Sequence, residues 1–127
     1  MKTCKSAKES NRQRARAWVV VGHMKLPESI KIGGHTVKVL FPYAFRDRGD
    51  VAGQADYGLL EIRLRNEDLG GCRREDSAVM TTFIHEIIHL ICEVYNGRVQ
   101  LDEPVIEALS QGLYQVFADN PDLEFRV

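Results

Sequence analysis

In the first half of the chain apolar and polar residues alternate with a period of two, and in the second half the period lengthens to that of a helix. Ile30-Lys-Ile32 and Thr36-Val-Lys-Val-Leu-Phe41 flank Gly33-Gly34, which predicts a β-hairpin with a glycine turn. Gln54 to Tyr57 predicts a short strand, and Leu60-Glu-Ile-Arg-Leu-Arg65 a strand with one wet face. The stretches between them, Pro42 to Gly53 and Asn66 to Arg74, carry charges and glycines and read as loops. From Ser77 to Tyr95 apolar residues recur at helical spacing, with Asp76 or Ser77 as the cap and Asn96-Gly97 as the stop. A second helix begins near Asp102-Glu103-Pro104 and ends near Asp119. Its predicted core face is Val105, Ile106, Leu109, Leu113, Val116 and Phe117. Strands followed by helices predict an α+β fold, in which a small, mainly antiparallel sheet packs on the long helix and a second C-terminal helix.

Composition narrows the class. The chain has 127 residues, 44% apolar and 28% charged, which suits one globular domain and excludes a collagen-like or wholly disordered chain. No uninterrupted apolar run approaches the ~20 residues of a membrane span, so no membrane partner is expected. A net charge of −1 hides an asymmetry, because seven Lys/Arg face only Glu9 in residues 1–25 while acids dominate the rest. Residues 1–24 are therefore expected to form a basic, flexible arm ahead of a folded domain at 25–127. That arm is a candidate contact for nucleic acid, and its Trp18–Val21 run a strand if it docks. Cys4, Cys72 and Cys92 are odd in number and lack a C-x-x-C pair, so free thiols, a cytoplasmic location and a monomer are expected.

The chemistry is concentrated in His85-Glu86-Ile-Ile-His89. Residues four apart share one helix face, so both imidazoles can meet one metal ion while Glu86, beside the first, can take a proton from water. The two histidines fall opposite the apolar arc built by Met80, Phe83, Ile84, Ile87, Ile88, Leu90 and Ile91. Their neighbours there are Thr81, Thr82 and Cys92, small residues suited to the wall of a cleft. A catalytic zinc site needs a third protein ligand, and no third histidine follows at the required spacing. Glu103 and Glu107 on the second helix both qualify by angle. Glu103 precedes Pro104 at the helix start, where a carboxylate serves as a cap, whereas Glu107 lies a full turn inside. Position therefore favours Glu107.

His85-Glu86-Ile-Ile-His89, followed one helix later by Val-Ile-Glu107-Ala-Leu, resembles the glutamate-type zincins. The resemblance is to the minimal phage and bacterial versions, of the SprT-like and ImmA/IrrE-like kind, and covers roughly residues 30–119. It implies a zinc-dependent peptidase of peptide or protein substrates, with His85, His89 and Glu107 as Zn2+ ligands and Glu86 as general base. It also implies that the Leu60–Arg65 strand lines the cleft and pairs with an extended peptide. A rival from another class is a non-catalytic or regulatory zinc-binding module, brought to nucleic acid by the basic arm.

Other residues have plainer readings. Cys92 is expected to pack under the cleft, His35 to belong to the hairpin surface, and Tyr57 and Tyr114 to pack as aromatics. Arg73-Arg74 reads as a solvated corner.

Overall fold

The computed structural model describes residues 26–46, 51–95 and 100–123. The arm at 1–24, with its Trp18–Val21 run, lies outside the described residues. Four strands and two helices follow in the expected order: β1 (Ser29–Ile32), β2 (His35–Leu40), β3 (Gly53–Asp56), β4 (Glu61–Leu64), α1 (Asp76–Tyr95) and α2 (Glu103–Asp119). The hairpin β1–β2 turns at Gly33 and Gly34, whose φ values of 57° and 86° are the left-handed conformation that a two-residue turn requires.

The strands lie in the order β1-β2-β4-β3. β1 pairs antiparallel with β2 and β3 antiparallel with β4, while β2 and β4 run parallel. The α+β class and the mostly antiparallel sheet are as expected. One placement is not. The Leu60–Arg65 region forms an interior strand, and β3 holds the edge beside it. The alternation in β4 reflects a wet sheet face rather than a free edge. Ile62 and Leu64 point into the core, and Arg63 on the other face donates to Gln54 at 3.1 Å and Glu61 at 2.8 Å.

The core lies between one sheet face and α1, and is built from Ile32, Val37, Val39, Ile62, Leu64, Phe83 and Leu90. Val37, Ile62 and Leu64 are fully buried. α2 packs on α1 alone and touches no strand among the described residues, so the layers run sheet, α1, α2. That central place explains why α1 is apolar around much of its girth. By length and composition it is the one helix among the described residues able to cross a membrane, and both the sheet and α2 pack against it here. The predicted core face of α2 is corrected by the same fact. Only Ile106 and Ser110 of α2 are buried, whereas Val105, Leu109, Leu113, Val116 and Phe117 stay 39–48% exposed. With a single neighbouring element, one narrow stripe is all that α2 can cover. Ile91, placed on the apolar arc of α1, is also exposed.

Candidate functional site

His85 and His89 leave the α1 face that borders both β3 and α2, where α1 is neither under the sheet nor covered by the outer helix. Their rings lie 4.9 Å apart and the two Nε2 atoms 3.2 Å apart. The helical spacing of four residues is what aligns them. Both imidazoles converge on one point.

The carboxylates divide differently from the expectation. Glu103 places Oε2 at 3.0 Å from His85 Nε2 and Oε1 at 2.8 Å from His89 Nε2. Glu107 instead meets the other side of the first ring, with Oε2 at 3.0 Å from His85 Nδ1. His85, His89 and Glu103 thus form the group whose donor atoms all lie within 4.8 Å of one another, and Glu107 is not in it. The expected ligand set of His85, His89 and Glu107 differs from the group that the geometry brings together, in which Glu103 faces both Nε2 atoms and Glu107 faces Nδ1. The first turn of α2 is well formed: Val105 and Ile106 N–H donate to Asp102 O at 2.9 and 3.1 Å, and Pro104 presets the helical φ.

Proton bookkeeping shows what the cluster lacks. When His85 Nδ1 donates to Glu107, its neutral ring offers only a lone pair at Nε2. That lone pair faces a Glu103 carboxylate oxygen and His89 Nε2, which has at most one hydrogen to give. A bound cation would give these facing lone pairs a common partner. Around a tetrahedral zinc, ligand atoms at ~2.0–2.1 Å from the ion stand about 3.3 Å from each other. The two Nε2 atoms stand 3.2 Å apart, and one Glu103 oxygen faces each of them, so the donor set fits such an ion.

Glu86 stands apart from the cluster in character. It is 7% exposed and, with Ser110, one of two buried polar residues among those described. Burial pushes its carboxyl up to about 7, His85 opposes the shift and Glu103 adds to it. A carboxyl so placed takes and returns a proton near neutral pH.

The cleft over these residues has a volume of about 840 Å³. Ala52, Gly53 and Gln54 at and just before β3 form one wall, Ser77, Ala78, Thr81 and Thr82 of α1 the floor, and Glu103, Glu107, Gln111 and Tyr114 of α2 the other wall. A second cavity of about 370 Å³ adjoins it, sharing Gly53, Gln54, Glu86 and His89 and extending to Tyr57 and Glu93. β3 comes so close to α1 that a Cβ at Gly53 would stand 2.6 Å from Thr82 Cγ2.

Several residues sit elsewhere than expected. Gln111 donates to Glu107 Oε1 at 2.9 Å, a link in the site that no sequence motif announces. Tyr114 lines the cleft eleven residues beyond Glu103, ~16 Å along the helix, too far to reach the histidine cluster. Tyr57 packs edge-on against His35, with ring centroids 6.3 Å apart, which leaves His35 out of the site. Cys92 is a free, half-buried thiol as expected, but Cys72 is disulfide-bonded, so the expectation of free thiols fails there. Arg74 is no solvated corner. Its guanidinium donates to Ala52 O at 3.3 Å, Arg65 O at 3.1 Å, Ala78 O at 3.2 Å and Thr82 Oγ1 at 2.7 Å. Compared with known proteins, the chain matches no protein-family model, no curated protein and no solved structure.

Proposed function

We propose that this chain is a zinc-dependent peptidase acting on extended peptide or protein segments. The observation that carries the reading is the triangle of His85 Nε2, His89 Nε2 and the Glu103 carboxylate, set in an open cleft beside the buried carboxyl of Glu86. In it, His85, His89 and Glu103 hold the ion, in place of the ligand set with Glu107. Zinc so held supplies a Lewis acid for a scissile carbonyl and lowers the pKa of water. Glu107, accepting from His85 Nδ1, fixes the ring so that Nε2 points to the ion, and Gln111 holds Glu107 in turn. Glu86 accepts the proton from the attacking water and delivers it to the leaving amine. The β3 edge, which borders the cleft, offers backbone groups to an extended substrate.

Metal analysis of the purified protein, followed by digestion of a casein substrate with and without chelator, tests this. One equivalent of zinc and chelator-sensitive cleavage are expected, with Glu86→Gln retaining zinc and losing at least 100-fold in turnover. Wild-type hydrolysis by Glu86→Gln would defeat the mechanism.

A second reading has one observation in its favour. α2 buries little besides Ile106 and Ser110, so an ion bridging α1 and α2 would also hold the outer helix in place. In a purely structural or regulatory zinc module chelator would lower the melting temperature and no substrate would be cut.

A further inference from the structure

We propose that Arg74 gives the cleft a carboxylate-recognising subsite, two or three residues from the scissile bond, for an acidic side chain or the C-terminal carboxylate of an extended peptide. The inference rests on the peptidase reading and adds a substrate class to it.

Four of the five guanidinium N–H groups are committed, and every acceptor is neutral: three backbone carbonyls and the Thr82 hydroxyl. Among the described residues no carboxylate pairs with Arg74. Its neighbour Arg73 differs, with Asp76 at 3.0 Å. Among the described residues dipoles hold Arg74 in place, and none of them brings a negative charge to it in the cleft wall. Burial and the nearby Arg65 both pull its pKa below the ordinary value, which marks the strain of holding that charge there. A carboxylate brought by a ligand would relieve it, and in a half-buried wall such attraction is screened far less than in water.

The position suits an extended chain. The guanidinium lies beside Ala78 and Thr82, seven and three residues before His85, hence ~4.5–10.5 Å along the α1 axis from the metal-facing cluster. At ~3.3 Å per extended residue the middle of that span is two or three residues from the bond under attack. The floor between is small, made of Ala78, Thr81 and Thr82, so a side chain has room to reach the guanidinium. The other end of the trough carries Glu93, so the charge of the cleft changes sign along its length. A peptide that places a carboxylate at the Arg74 end meets complementary charge, and the reverse placement meets repulsion.

A synthetic peptide library, with each sequence present as free acid and as C-terminal amide, tests the subsite when digested by the zinc-loaded protein and read by mass spectrometry. Cleavage is expected at least tenfold faster when Asp or Glu, rather than Asn or Gln, stands two or three residues from the cut on one side. If the recognised group is the terminal carboxylate, the same ratio separates the free acids from the amides instead. Arg74→Gln should bring the ratio near one. Because that change also removes backbone tethers, Ser77→Asp is the second variant. Ser77 is exposed on the cleft floor, and the added carboxylate would neutralise the Arg74 end without touching its hydrogen bonds. The ratio should fall in this variant as well. Cleavage with no carboxylate preference, or a preference that survives Ser77→Asp, overturns the subsite and leaves the peptidase reading standing. No cleavage of any peptide defeats the peptidase reading, and the subsite with it.

Discussion

Glu103 and Glu107 stand one turn apart on the same helix and differ in which nitrogen of His85 each one meets. In the proposed zinc site, oxygen against Nε2 would be a ligand and oxygen against Nδ1 would orient the ring. Glu107→Ala should therefore weaken zinc ~10–100-fold, as loss of an orienting carboxylate does, and Glu103→Ala should weaken it further. Chelator competition on both variants measures the order, and the reverse order would return the ligand role to Glu107. The histidine pair was legible because spacing alone puts both rings on one face. The third carboxylate was not, since both candidates flank the same face of the helix and only the packing of α2 on α1 distinguishes them. Glu86 makes a separate prediction for the metal-free protein. Its folded pKa, about 7, lies above the ordinary 4.5, so the folded state holds the proton more tightly. The resulting stability is complete below pH 4.5 and is lost as pH rises through 7, on the order of 3 kcal/mol in all. Urea midpoints at pH 5 and pH 8.5 should diverge in the wild type and converge in Glu86→Gln. Equal slopes in the two proteins would contradict the assignment.

Elements were easier to read than their neighbours. The hairpin glycines and the strand alternation are local signals, and each described element lies within about two residues of its predicted place, while the predicted helix stop at Asn96-Gly97 lies outside the described residues. Sheet order is not local. A wet face in β4 and a free edge look alike along one strand, and only the parallel pairing of β2 with β4 separates them. At α2, periodicity overstated burial because it records how many apolar residues a helix carries, not how many neighbours it finds. Ile106→Ala should cost ~2–5 kcal/mol, whereas Leu109→Lys or Val116→Lys should stay within ~0.5 kcal/mol. Denaturant midpoints compare them directly. A large loss at Leu109 would mean that this face is covered in solution. Gly53→Ala belongs to the same scale. Its methyl group would stand 2.6 Å from Thr82 Cγ2, pushing β3 from α1 at a cost of ~1–3 kcal/mol and widening the cleft.

At the scale of the molecule, the three layers are unequally bonded. The sheet and α1 share a buried core, and α2 adds to α1 a stripe built around Ile106 and Ser110. The donors of the candidate metal site straddle that weaker seam, with both imidazoles on α1 and the Glu103 carboxylate on α2. Ion affinity and the seating of the outer helix are then one quantity measured in two ways. Each tenfold excess of free zinc over its Kd would add ~1.4 kcal/mol to the docking of α2 and nothing to the sheet. Hydrogen exchange should show zinc slowing the amides of α2 while those of β2 and β4 stay unchanged, and uniform slowing would show that the layers open together. If the seam does open alone, scarcity of zinc swings a wall of the cleft away along with the ligand it carries. The protein would then read the metal supply of its surroundings as a change of shape.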